Sequence, residues 1–366
     1  MSNDTITRAD LDDLATGATV LGTGGGGDPY VGKLMAEQAI EENGPIDLID
    51  PSDIPDDELV VPSAMLGAPT VMIEKIPRGD EATAAFETLE RSMGQEAFAT
   101  MSIEAGGLNS TIPIAVAAAL DIPLVDADAM GRAFPEIQMV TLTLGGIDAT
   151  PMSIADEKGN SVFVDTQTNE KAEQFARTTS IDMGGSCMIA TYPHTGAELR
   201  EHGILRSISY ARHIGRTIRE AQENSANPID ALVQYVDGFK LFEGKVMDVA
   251  RRTEGGFAVG EATINGLSEY DGRTLSLDFQ NEHLIARDSE HGVVASVPDL
   301  ITVLDSETGN PITTEGLRYG HRVTVVGMEC SEKWRTPAGL ELVGPRYFDY
   351  EIDYKPIEHI YTELNK

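Results

Sequence analysis

Basic residues are scarce in this chain. Against 60 Asp and Glu it carries 27 Lys and Arg, a formal net charge of −33 over 366 residues. Such a surface repels phosphate backbones and anionic lipid, so neither nucleic acid nor a membrane is expected as a partner. Cysteine is nearly absent: Cys187 and Cys330 are too few for a disulfide framework. No apolar run approaches the roughly 20 residues of a spanning helix. The opening "MSNDTITRADLDDLA" has neither the basic nor the apolar region of a secretion signal. The expected location is therefore cytoplasmic. Also missing are a G-x-S-x-G nucleophile elbow, an HExxH metal motif, internal repeats and coiled-coil heptads. The acidic residues are scattered along the chain, and Arg outnumbers Lys two to one. That balance fits adaptation to high salt or an ordinary acidic cytosolic protein.

What is present is a globular pattern, 41% hydrophobic, long enough for two or three domains. Thr7 to Asp10 reads as a capping box opening a helix to about Val20. Asp28-Pro29 reads as an N-cap with proline at the first helical position, opening a second helix over about 29–42. "PIDLID", "ELVVPSAML" (ending in the turn Gly67-Ala68-Pro69), "AFATMSIEAGG" and "PLVDADAM" read as strands, with helices over about 80–93 and 109–120 between them. That alternation predicts an α/β domain over 1–165 with a largely parallel sheet. "IQMVTLTL" and "MSIADEKGNSVFVD" read as further strands, and helices follow over about 169–179 and 206–223. From Gly238 the chain is strand-rich with frequent glycine turns, so 166–366 is expected to contain a small antiparallel β barrel.

"LGTGGGGDPY" (21–30) matches G-x-G-x-x-G at Gly22, Gly24 and Gly27. A dinucleotide loop needs a strand before it, and residues 8–20 pattern as a helix. Asp28 would also place a carboxylate on the helix N-terminus where a pyrophosphate should sit. No nucleotide cofactor is expected, and the missing Gly-Lys-Ser/Thr ending excludes a P-loop. Four consecutive glycines, Gly24 to Gly27, suggest instead a wall that a ligand approaches closely.

"SIEAGGLNS" repeats the arrangement: a strand ends at Glu104, a Gly-Gly turn follows, and a helix opens at Asn109 or Ser110. Ligands of open α/β sheets bind at such strand ends. "VDADAMGRAFPE" is the densest polar cluster. Asp126 and Asp128 share one side of an extended segment, with Arg132 and Glu136 beyond. Two carboxylates and an arginine suit acid–base work, a divalent metal or an acidic substrate, or form a solvated loop with a structural ion pair. Cys187, in an apolar strand, reads as an inert buried thiol rather than a partner of His194. Trp334 reads as packing of the C-terminal lobe.

"GTGGGGDPYVG", "GAPTV" with Glu74-Lys75, "EAGGLNS", "DADAMGRAFPEIQM", "FQNE" and "PDLITVLDSETGNPITTEGLRYGHRV", taken in order, resemble the S-methyl thiohydantoin desulfurase family. "DADAM" departs from the family's usual glycine-containing form. The resemblance implies an N-terminal three-layer α/β domain and a C-terminal part with a β barrel. It also implies a small sulfur-substituted hydantoin-type substrate, including a thioxo-imidazolidinone propionate in a related activity, and a hydantoinase as a partner. Exchange of ring C–S for C=O needs a base for water and an acid or electrophile for sulfur. Beside that chemistry, the Gly24, Gly25, Gly26 and Gly27 backbone is assigned to close approach and Asp28 to ring N–H groups. Glu104 or Asp128 is assigned as base, Asn109 to orienting the ring, and Arg132 to a propionate or the leaving group. Asn281 and Glu282 are assigned to closing the site from the barrel. A divalent metal on Asp126 and Asp128 is an option the residues allow without requiring. A homo-oligomer, an accessory or related cyclic-amide hydrolase, and a non-catalytic ligand-binding module stand as alternatives.

Overall fold

The computed structural model describes residues 4–67 and 78–364. Ala68-Pro69 of the expected turn, most of "GAPTV", and Glu74-Lys75 lie outside the described residues.

The first sheet is built from β1 (Asp4–Ile6), β2 (Ile46–Ile49), β3 (Leu59–Gly67), β4 (Ala99–Ser102), β5 (Leu124–Val125), β7 (Met152–Ala155), β8 (Ser161–Val164) and β9 (Ser186–Ala190). Its order is β1-β2-β5-β4-β3-β9-β7-β8, with β10 (His194–Thr195) pairing β3. The β2-β5-β4-β3 centre is parallel. The flanks β1, β9, β7 and β8 are antiparallel, so the sheet is mixed rather than largely parallel. The β3 run of apolar residues is buried on both faces, as a central strand requires. Leu59, Val61 and Met65 join one core with Phe86, Leu89, Ile112 and Val116 of the helices Glu81–Met93 and Ile112–Leu120. Val60, Ala64 and Leu66 join the opposite core with Leu14 and Ala18 of the helix Leu11–Leu21.

One expectation is corrected. "IQMVTLTL" forms no strand: the Thr141 N–H bonds the Ala129 carbonyl, and a short helix, Thr141–Leu144, follows. From beyond residue 165, β9 pairs with β3 and completes the first sheet. The helix Ser207–Glu223 likewise packs Ile208, Ala211, Ile214 and Ile218 into the N-terminal core. "PLVDADAM" splits at Asp126: β5 stays in the first sheet, while β6 (Ala127–Asp128) pairs with β11 (Ile204–Leu205).

The second sheet is antiparallel throughout: β12 (Phe239–Glu254), β13 (Phe257–Gly266), β14 (Thr274–Gln280), β15 (Glu282–Asp288), β16 (Gly292–Ser296), β17 (Leu300–Asp305) and β18 (Arg322–Met328). Its order is β16-β15-β14-β13-β12-β18-β17. β12 shifts register against β18 between Lys240 and Phe242, and against β13 between Val246 and Asp248. Such bulges bend a strand and add twist, and the sheet curls into a half-barrel around Phe242, Val246, Ile264, Leu277 and Val325. No ladder joins β16 to β17 among the described residues, so the sheet is an open curl rather than a demonstrated closed barrel. Among the described residues no helix is long and apolar enough to cross a membrane.

Asp299 ties the tail to the half-barrel. It is fully buried and accepts from Cys330 N (3.0 Å), Ile357 N (2.9 Å), the Tyr354 hydroxyl (2.9 Å) and Arg335 Nη2 (3.2 Å). Asp299→Ala strands these donors and is expected to cost about 3–5 kcal/mol. Denaturant unfolding reads the loss, and limited proteolysis should then clip the tail after Cys330 first.

Candidate active site

The helix Leu11–Leu21 ends in the glycine loop, which turns on a Gly25 N–H to Gly22 carbonyl bond of 2.8 Å. Gly24, Gly26 and Gly27 have φ of +92°, +75° and +81°, a region that side chains disfavour. Space is the stronger demand. A Cβ on Gly25 would lie 1.9 Å from Glu282 Oε1, and one on Gly26 would lie 2.5 Å from Gly106 Cα. Leu108 N–H donates to the Gly26 carbonyl at 2.9 Å. His283 N–H and Thr314 N–H donate to the Thr23 and Gly24 carbonyls, each at 2.8 Å. The loop thus joins the turn after β4 to the turn before β15.

A cleft of ≈ 600 Å³, counted out to its open mouth, lies along this seam. Gly26, Gly27, Glu104, Asn109, Asn281 and Glu282 line it, as do Met65, Phe134, Glu136 and Arg177. Six of the assigned positions therefore meet in one place. Gly24 and Gly25 do not face the cleft: they pack on the His283 ring and on Glu282.

Glu104 and Glu282 carry the electrostatics. Glu104 is 6% exposed and its Oε1 accepts from Asn109 Nδ2 at 2.7 Å. Burial pushes its carboxyl up to about 7, against the opposing pull of that hydrogen bond. Glu282 enters from the half-barrel side, 2% exposed, and its Oε2 has no hydrogen-bond partner among the described residues. Burial first, and the Glu104 charge next, raise it well above the ordinary glutamate range. Glu282 therefore holds its proton above the range in which an ordinary glutamate loses it. Asn109 is fully engaged: its Oδ1 accepts from Met65 N (2.8 Å) and its Nδ2 donates to the Met65 carbonyl (3.2 Å) as well as to Glu104. It therefore holds Glu104 against β3 rather than offering donors to a ring.

Arg132 is corrected by its surroundings. It is fully buried, and its N–H groups bond the carbonyls of Ala133 (2.9 Å), Pro298 (2.9 Å), Asp299 (2.8 Å) and His283 (3.4 Å) and Thr23 Oγ1 (2.9 Å). A guanidinium has five donors, so none is left for a substrate carboxylate. Arg132 clamps the half-barrel to the glycine loop. Asp128 lies outside the lining, where its Oδ2 accepts from Met130 N (3.0 Å) and Gly131 N (2.7 Å). Burial pushes it up to about 6, and its charge adds to the rise at Glu104. Asp126 accepts from Ser209 N (2.9 Å) and Ser209 Oγ (2.6 Å), capping the helix Ser207–Glu223. The two aspartates therefore serve different segments, and no cluster of three or more His, Cys, Asp or Glu suited to a metal occurs among the described residues. Asp28 caps its own helix through Tyr30 N at 2.8 Å and does not line the cleft.

Arg177 was not legible in the sequence. It lies on the helix Asn169–Asp182, bonded to Glu173 Oε1 (2.7 Å) and to the Pro135 carbonyl (3.0 Å), with its guanidinium 4.4 Å from the Phe257 ring. Its only local signal is Glu173 four residues earlier, an ordinary helix-surface pair. Cys187 is buried in β9, and His194, held near 4 by burial, bonds the Tyr192 carbonyl at 2.6 Å.

Two outcomes follow from this geometry. Gly26→Ala forces its Cβ into Gly106 at a left-handed φ and should cost about 1–3 kcal/mol by thermal or denaturant unfolding, with loss of any ligand binding in the cleft. Glu104 and Glu282 bind protons more tightly folded than unfolded. Their contribution to stability is therefore present below about pH 4.5 and is lost as pH rises through about 7 for Glu104. Glu104→Gln and Glu282→Gln should each flatten that decline in unfolding free energy measured between pH 5 and pH 8.

The fold has a counterpart among solved structures. A crystal structure of a protein from Chromobacterium violaceum superposes with a TM-score of 0.79 at 23% identity, covering 97% of this chain and 100% of that one, which establishes a shared fold. No curated protein matches the chain. Residues 9–166 match the S-Me-THD-like N-terminal domain, and residues 167–357 match the S-Me-THD-like C-terminal domain. Together these matches span nearly all of the sequence, and the chain belongs to the S-Me-THD-like family, that of the S-methyl thiohydantoin desulfurases its motifs resemble.

Proposed function

We propose that this protein hydrolyses a carbon–sulfur bond at C2 of a thiohydantoin or S-methyl thiohydantoin ring. The observation that supports the reading is the pair of buried carboxyls, Glu104 and Glu282, facing one cleft with raised proton affinity. Hydrolysis at C2 needs a base and an acid at once, and two carboxyls of unequal proton affinity supply both. Glu104, ionised over a substantial fraction near pH 7, takes a proton from water as its oxygen bonds to C2. Glu282, protonated, gives its proton to the ring sulfur as the C2=S π electrons move there. The C2–S bond then breaks with its electron pair on sulfur. Glu104 returns its proton to the departing sulfur and the new hydroxyl gives its proton to Glu282, which restores both groups. The products are the C2=O ring and hydrogen sulfide. From the S-methyl compound they are the same ring, with the second proton kept on the ring nitrogen, and methanethiol.

Asn109 acts through Glu104 as a positioning residue, and Met65, Phe134 and Ile137 give the ring an apolar wall. The test is incubation of the protein with 2-thiohydantoins and S-methyl thiohydantoins in ¹⁸O-water, reading sulfide or methanethiol and the mass of the ring product. The expected result is release of sulfur with label at C2, and a fall of about 10²–10⁴-fold in kcat for Glu104→Gln and for Glu282→Gln. Absence of release, or release that both variants leave unchanged, contradicts the proposal.

A further inference from the structure

Asn281 is the single residue between paired Gln280 and Glu282 where β14 turns into β15. Its φ is +57°, uncommon for a residue with a side chain, and glycine would be the cheap choice in so tight a turn. The backbone there is held hard: Asn281 N–H donates to the Ala258 carbonyl at 2.8 Å, and its own carbonyl accepts from Thr314 Oγ1 at 2.6 Å. The side chain is held as well. Ala258 N–H donates to Oδ1 at 2.8 Å, and because that group can only donate, the amide has one orientation. Nδ2 is then the free end. It has no protein partner among the described residues, on a side chain 7% exposed that lines the cleft beside Glu282 and Gly26. A strained, doubly anchored residue that lines a cleft and carries an uncommitted donor is arranged for a ligand acceptor.

We infer that Asn281 is a catalytic hydrogen-bond donor, whose Nδ2 binds the substituent at C2 and holds the negative charge that gathers on it as water adds. The inference rests on the reaction proposed above and adds a group to it. Glu282 delivers a proton to that atom, and the amide supplies a fixed dipole that needs no reorganisation during the step. Because the donor is neutral, it does not lower the proton affinity of Glu282 as a cation would.

Asn281→Asp separates this role from a structural one. Asp tolerates the left-handed backbone and keeps an acceptor for Ala258 N–H, yet replaces the free donor by an acceptor. Asn281→Gly keeps the turn and removes both. The expected result is a loss on the order of 10²-fold in kcat for both variants with little change in KM, while unfolding midpoints stay near that of the wild type for the Asp form. Wild-type kcat in Asn281→Asp overturns the inference. A second readout needs no turnover: the ¹⁵N-edited side-chain amide signal of Asn281 in the full-length protein, titrated with the hydantoin product. A shift of that signal on binding supports the donor role. Movement of Asn109 without Asn281, or no movement at any cleft signal, overturns it. If the Asn281 amide responds to hydantoin but no thiohydantoin loses sulfur, it is the proposed reaction that fails.

Discussion

The architecture depends on how closely two polypeptide backbones can approach at one seam. The glycine loop touches the Gly106 turn on one side and Glu282, His283 and Thr314 on the other, at separations that leave no room for a Cβ. Those contacts place a strand end of the mixed α/β sheet against a turn of the half-barrel. The cleft is the space left between them, and each sheet contributes one carboxyl to it. Arg132 reinforces the seam by bonding to Thr23 on the loop and to the backbone of residues 283, 298 and 299. The arginine is therefore a structural counterpart of the glycines: they permit the approach and it holds the two parts together.

The same approach determines the chemistry. A carboxyl on a solvated surface in a chain of net charge −33 would be ionised and unremarked. Buried at the seam, Glu104 and Glu282 lose hydration, and Glu282 also feels the Glu104 charge, so their proton affinities rise. Folding bears a cost for this at neutral pH, since neutral carboxyls without full solvation stabilise the folded state only in acid. Asn109 limits the cost at Glu104 by giving its ionised form a donor, whereas Glu282 has an oxygen with no partner among the described residues. In the proposed reaction, that asymmetry separates the base from the acid.

Much of this was legible in the residues. Glycine turns at strand ends, with Glu104 and Asn109 beside one of them, pointed to a shared site because strand ends are where such sheets bind ligands. "FQNE" was carried by family resemblance, since nothing local in β14 and β15 says that their connection reaches the glycine loop. Arg132 was misread for a definite reason. A sequence shows a cation near two aspartates, but not that five backbone and hydroxyl acceptors surround it. "IQMVTLTL" alternates like a strand, yet its Thr141 N–H is taken by Ala129, a tertiary contact that outweighs the pattern. β1 escaped notice because Asp4–Ile6 finds its partner some forty residues away, in β2. Arg177 reaches the cleft only through the packing of its helix.

The central claim is that the Glu104 charge reaches Glu282 across the seam and, with burial, keeps it protonated. The direct measurement is the ¹³C titration of the Glu282 side-chain carboxyl, in the wild type and in Glu104→Gln. The account predicts that Glu282 remains protonated well above the ordinary glutamate range in the wild type and titrates at lower pH once Glu104 is neutral. A Glu282 that titrates near 4.5 in the wild type, or whose titration ignores the change at Glu104, would contradict it.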